Sequence, residues 1–150
     1  MQIIQLTKNH IALIDDEDLD ALSQYKWYSD GRYAVRRERG TRKLIRMHRV
    51  VIDAIDGLPV DHIDGNGFNN QKNNLRICTL LQNNQNYPKT KNNKSGYKGV
   101  HWHIRRRKWE ATIKVNNKKI HIGYFSRPED AYSAYKDYSQ KYHKEFGRTE

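Results

Sequence analysis

Apolar positions in this chain come in short clusters set among long polar stretches. IIQL and IALI, residues 3–6 and 11–14, predict two short strands joined by a turn at Lys8-Asn9. The acidic run Asp15 to Asp20 suits a helix N-terminus, where carboxylates complement the backbone dipole. Leu19, Leu22 and Trp27 are then the inward positions, and the acids form a solvated face rather than a metal site. A basic segment, Arg32 to Arg49, contains the strand-like Tyr33-Ala34-Val35 and is expected to lie along phosphates. Met47 to Ile55 predicts a helix, because His48, Val51, Ile52 and Ile55 recur at spacing 0, 3, 4 and 7 on one face, with His48 as a packing residue. Gly57 and Pro59 end that helix and Val60 opens a new element.

The next stretch, VDHIDGNGFNNQKNNLRICTLLQNNQN (60–86), reads as strand, loop, strand, helix. Gly65, Gly67 and Asn69-Asn70 favour turns and positive φ, so the strand carrying Asp61 and His62 must stop by Asp64. In the DG turn, Asp64 is expected to bond its own backbone. Leu75 to Cys78 resumes strand character. Thr79 with Gln82 three positions on matches a capping box, which places a helix from Leu80 to about Asn86.

Strict alternation dominates the remainder. Val100, Trp102 and Ile104 alternate with His101, His103 and Arg105, while Trp109, Ala111, Ile113 and Val115 alternate with Lys108, Glu110, Thr112 and Lys114. A third run sets Ile120, Ile122 and Tyr124 opposite Lys119 and His121. Asn116-Asn117 suits a tight hairpin and Arg105 to Lys108 a longer one. Ser126, with Glu129 three residues on and Pro128 near the first turn, predicts a helix whose stripe of Ala131, Ala134, Tyr135, Tyr138 and Tyr142 covers the apolar sheet face. The expected class is α+β, with the opposite, mostly cationic sheet face left open to a major groove.

Charge divides the chain. Residues 1 to 30 hold six acids and two bases, whereas residues 89 to 121 hold eleven Lys or Arg and one acid, Glu110. Tyr87 to Ser95 has linker composition, so residues 1–86 and 96–150 are expected as separate modules joined by 87–95. A net charge of +11 over 150 residues points to a phosphate backbone as partner. No run approaches the roughly 18 apolar residues of a membrane helix and no signal-peptide core is present, so the expectation is a soluble protein of the cytoplasm that is neither secreted nor membrane-bound. One cysteine, Cys78, excludes an internal disulfide and a Cys-pair zinc site. Any metal must be held by oxygen and imidazole ligands, which favours magnesium or manganese over structural zinc.

MHRVV (47–51), VDHIDGN (60–66), NNQKNNLR (69–76) and QNNQN (82–86) resemble the HNH homing endonucleases of phages and mobile introns, whose active site is a ββα-metal unit. The resemblance implies that His62 is the general base, Asp61 and Asn83 ligate one divalent metal, and Asn74 orients His62. Asn84 or Asn86 takes the place of Asn83 if the helix is offset. A neutral imidazole, with an ordinary pKa near 6.5, is matched to removing a proton from water at neutral pH.

YKGV (97–100), KWEATI (108–113), IGYF (122–125) and EDAYSAYKDY (129–138) resemble the plant ethylene-response-factor DNA-binding domain, which also occurs behind phage HNH nucleases. That resemblance implies that Lys98, His101, His103, Thr112, Lys114 and His121 face DNA; Arg105 and Lys119 share the polar positions. Lysine and histidine lack the arginine fork that reads guanine, so that family's base preference does not transfer. The reading favoured here is a metal-dependent endonuclease acting on double-stranded DNA, homing or nicking in type, with no small-molecule cofactor, as a monomer or homodimer. The alternative is a DNA-binding regulator without catalysis. RNA binding ranks last, for want of a solvent-facing aromatic platform.

Overall fold

A computed structural model describes residues 1–7, 9–90 and 92–149. The chain is mixed α/β, with four small sheets and four helices among the described residues, and divides into two compact units, Met1–Thr79 and Leu80–Glu150.

In the first unit, β1 (Gln2–Gln5) and β2 (Ile11–Ile14) form the predicted antiparallel pair, Gln2 opposite Ile14; Lys8 of the expected turn lies outside the described residues. A single 3-10 turn (Asp16–Asp18) leads into α1 (Leu19–Ser23). β3 (Tyr28–Ser29), β4 (Ala34–Arg37) and β5 (Leu44–Arg46) make a three-stranded antiparallel sheet in that order, so part of the basic segment is a hairpin. α2 spans Met47–Val51, shorter than the spacing predicts. Asp53 adopts a left-handed φ of 45°, and Arg49 donates to the carbonyls of Ile55 and Leu58, each at 2.7 Å, so the chain turns away and leaves Ile55 68% exposed. β6 (Val60–His62) and β7 (Leu75–Ile77) then pair antiparallel. Leu6, Ala12, Ile14, Leu22, Trp27, Ala34, Met47, Val51 and Leu75 build one core, with Ile4, Ile45, Val60 and Phe68 packed against it.

The second unit begins with α3 (Leu80–Asn86), at the predicted position; it groups with this unit rather than with the module 1–86 expected from the sequence, and packs against a 3-10 turn at Lys144–Phe146. β8 (Val100–His103), β9 (Lys108–Val115) and β10 (Lys118–Phe125) form an antiparallel sheet with β9 central. Asn116 and Asn117 both take left-handed φ, 48° and 62°, as the tight hairpin requires. α4 (Pro128–His143) covers one face, its Ala131 clustering with Val100 and Ala111 of the sheet, with Tyr97, Trp109, Ile122, Phe125 and Tyr132 around them.

Two local expectations change. A register shift between His121 and Gly123 pairs His121 with Thr112 and Tyr124 with Glu110, so Tyr124 joins the polar face instead of the apolar one. Helix α4 starts at Pro128 with Arg127 as its N-cap, not at Ser126, and its buried positions are Ala131, Tyr135, Ser139 and His143, while Tyr142 is exposed. Four-residue spacing lets Ser139 and His143 face inward ahead of the larger tyrosines.

Candidate active site and nucleic-acid interface

β6 delivers Asp61 and His62 as buried side chains, because the pleat sets them in register with Arg76 and Leu75 of β7. Arg76 donates from both Nε (2.9 Å) and Nη2 (2.7 Å) to Oδ2 of Asp61, a cross-strand ion pair. Two N–H groups of its planar fork converge on that one oxygen, and the pairing offsets the cost of burying the carboxylate.

The loop after His62 is knit by its own polar side chains. Asp64 Oδ1 accepts from the backbone N–H of Asn66 (2.8 Å) and from Asn74 Nδ2 (3.0 Å), and Asp64 Oδ2 accepts from Asn69 Nδ2 (2.8 Å). Asn74 returns the bond, its Oδ1 accepting from the Asp64 backbone N–H at 3.0 Å. The expected role of Asp64 as a turn residue holds. Asn74, expected to orient His62, instead fastens the two ends of the loop. Asn70, fully buried, reaches the imidazole: its Nδ2 donates to the Phe68 carbonyl, which turns Oδ1 toward His62 Nε2 at 3.4 Å. With Nε2 as the donor, Nδ1 of His62 carries the lone pair.

An aromatic wall completes the pocket. The Tyr33 ring stacks on His62 at 5.8 Å and His48 meets it edge-on at 4.9 Å. Gly67 has no Cβ because one would overlap the Arg32 carbonyl and the Tyr33 ring. Burial pushes His62 below the ordinary histidine range, against the opposing effects of the Asn70 hydrogen bond and of Asp64 and Asp61. Burial, then the neighbouring His62, pushes His48 down to about 3, so it packs as a neutral ring, as the sequence suggests.

The N-terminal hairpin supports this loop. Asn70 N–H donates to the Leu13 carbonyl (2.8 Å), Leu13 N–H to Phe68 (2.9 Å), and Asp15 accepts from Gln71 Nε2 (3.1 Å) and Lys72 N–H (2.8 Å). Asp15 is thus a clasp rather than part of a solvated face. Tyr33, Asn70, Arg76 and Asp15 were invisible as site residues in the sequence, since each acts through a partner that only folding supplies. Asn83 and its neighbour Asn84 sit on α3 in the second unit, half-buried and exposed, and Asn86 is buried.

On the second unit, Glu110 occupies the polar face of central strand β9 between two histidines, accepting from His101 Nε2 at 2.7 Å and from His121 Nδ1 at 2.9 Å. Burial opposes its ionisation, but the His121 hydrogen bond and the charges of His101 and Lys119 outweigh this and hold its carboxyl below the usual value. His103 Nδ1 accepts from the Arg106 backbone N–H at 3.2 Å. Thr112 is half-buried, while Arg105, Lys114 and Lys119 are exposed. Lys98 departs from the expected face: its ammonium donates to the carbonyls of Gln85 (2.5 Å) and Arg148 (3.2 Å), and burial, then Arg148, pushes it down to about 8. It ties chain segments together.

Over 82 residues the chain is 37% identical to Protein 3.8 of Escherichia phage T7, a match covering 51% of this chain and 68% of that protein. The chain belongs to the family of that phage protein. Over 99 residues it is 34% identical to a protein of Acanthamoeba polyphaga mimivirus named "Uncharacterized HNH endonuclease", covering 62% of this chain and 51% of that relative, about half its length. No protein-family model matches the chain, and no solved structure matches it. No helix among the described residues is long and apolar enough to cross a membrane.

Proposed function

We propose that this protein is a metal-dependent endonuclease that hydrolyses phosphodiester bonds in double-stranded DNA, with His62 as general base. The observation that carries this reading is the buried His62, adjacent to Asp61 and with Nε2 facing Asn70 Oδ1 at 3.4 Å; a neutral imidazole that donates there has its basic nitrogen at Nδ1. In the reaction, the water oxygen bonds to phosphorus, its proton passes to His62 Nδ1, and the bond to the 3′ oxygen breaks. The HNH name of the mimivirus relative supports the same chemistry.

Among the described residues no group of three or more His, Cys, Asp or Glu gathers. The resemblance implies Asp61 and Asn83 as the residues that would hold the cation, with substrate and water supplying the rest. Such a sparse, all-oxygen set fits magnesium, or manganese, rather than zinc. When bound, the ion supplies charge neutralisation at the phosphate and the departing oxygen. Asn70 positions His62, Asn74 and Asp64 hold the loop, and the polar face of β8–β10 docks the protein on its target.

Supercoiled plasmid incubated with the protein, with and without magnesium, tests this directly. Nicked or linear product is expected with magnesium and wild type, and none with His62→Ala. The Asp61–Arg76 pair favours one second reading, a DNA-binding regulator in which that carboxylate is structural. Duplex binding without cleavage under any divalent ion would select it.

A further inference from the structure

Glu110 is the one acid among residues 89 to 121, and it stands in the middle of a face otherwise suited to phosphate. A carboxylate there repels DNA, so its placement calls for a compensating role. Its side chain is only 12% exposed, against 46% for each flanking histidine, so the rings and not the carboxylate meet a partner first.

An ionised carboxylate only accepts hydrogen bonds, and a neutral imidazole has one N–H. The nitrogens that approach Glu110, Nε2 of His101 and Nδ1 of His121, must then be the protonated ones. His101 Nδ1 and His121 Nε2 are left as lone pairs. Tyr124 packs against His121 at 4.5 Å and Arg106 lies over Tyr124 at 4.7 Å, which restrains the ring of His121. His103 carries its hydrogen on Nε2, because its Nδ1 accepts from the Arg106 backbone N–H, and so presents a donor where His101 and His121 present acceptors.

We propose that Glu110 locks His101 and His121 in tautomers that present ring-nitrogen acceptors, making this face a reader of the exocyclic amino groups of cytosine or adenine in the major groove. In that groove these amino groups are the donors, whereas guanine offers acceptors. The proposal rests on the reading that the sheet docks on duplex DNA.

Two measurements on the full chain at pH 8, above the ordinary histidine range, test it. Long-range 1H–15N spectra of the histidine rings are expected to show His121 protonated on Nδ1, the less common form, and His101 and His103 on Nε2. In binding selection from randomised duplexes, wild type is expected to enrich cytosine or adenine at the contacted positions. Glu110→Gln keeps the shape but offers one histidine an N–H in place of an oxygen, which turns that ring over. Its cytosine or adenine preference should fall about 2- to 10-fold at one position, the worth of one hydrogen bond, with guanine gaining. His101→Ala and His121→Ala should each erase the preference at one position. His121 protonated on Nε2, or variants that scale affinity equally for every sequence, would overturn the proposal. Failure of wild type to bind any duplex would remove the docking reading and the base recognition with it, and the tautomer spectra separate that failure from an error about Glu110.

Discussion

Asn70 Oδ1 faces His62 Nε2 at 3.4 Å, while Asn74, four residues along the same loop, uses its amide on Asp64 and Asn69. Two asparagines that look alike in sequence therefore do different work. Asn70→Ala is expected to slow plasmid nicking by about 10-fold or more, a part of the roughly 10²–10⁴-fold that a general base supplies. Asn74→Ala should lower thermal stability at least as much as rate, since it opens the loop. Equal nicking by Asn70→Ala and wild type, at matched folding, would remove Asn70 from the positioning of the base.

His48 links acid stability to this pocket. Its pKa is about 3 in the fold against 6.5 as the unperturbed value, so below pH 6.5 the unfolded chain binds the proton that the folded chain refuses. Stability from this group is full above pH 6.5 and is lost progressively as pH falls toward 3. Denaturant titrations at pH 7.5, 5.5 and 4.5 should show that loss flattened in His48→Phe. A parallel fall in both proteins would assign the acid sensitivity to other groups.

Asp61 faces two demands, the Arg76 pair and the proposed cation. Asp61→Asn should abolish cleavage and also destabilise the first unit by about 1.5–3 kcal/mol, the usual worth of hydrogen bonds to a charged group. Denaturant midpoints and nicking rates measured together check this. Lost activity with unchanged stability would mean that Arg76 finds another partner.

The bonds of Lys98 to the Gln85 and Arg148 carbonyls lead to a salt prediction. Lys98→Gln should leave the dependence of DNA affinity on salt unchanged, whereas Lys114→Gln should reduce the log–log slope by about 1 if Lys114 meets a phosphate. Fluorescence anisotropy between 50 and 200 mM salt, roughly the range over which phosphate contacts are felt, reads both. A reduced slope for Lys98→Gln would return that lysine to the interface.

Gly99 takes φ of +75°, and a Cβ there would overlap the Tyr135 ring and crowd the Thr112 carbonyl. Gly99→Ala combines a left-handed alanine, about 1–2 kcal/mol, with overpacking of about 1–3 kcal/mol. A lowered melting temperature is expected, with His62-dependent nicking retained wherever the first unit stays folded. An unshifted melt would show that the α4 packing yields easily.

Much of the local architecture was legible because it depends on neighbours along the chain. Alternation in residues 100–125 specified three strands, paired asparagines specified a left-handed hairpin turn, and the Thr79 to Gln82 spacing specified a helix over Leu80–Asn86. The Asp61-His62 dipeptide, ending a strand before a glycine-asparagine loop, was equally readable. The bulge that turned Tyr124 outward was not, since one extra residue changes face without changing composition. Helix α2 stopped early because Arg49 captured carbonyls that no periodicity reports. Sequence alone determined most of the elements that form and marked the Asp61-His62 loop as a candidate site, because propensity, alternation and charge are local properties. Tertiary structure decided that Arg76 shares Asp61, that Asn70 rather than Asn74 reaches His62, and that Lys98 turns inward, because hydrogen bonds between distant residues exist only once the chain has brought them within 3.5 Å.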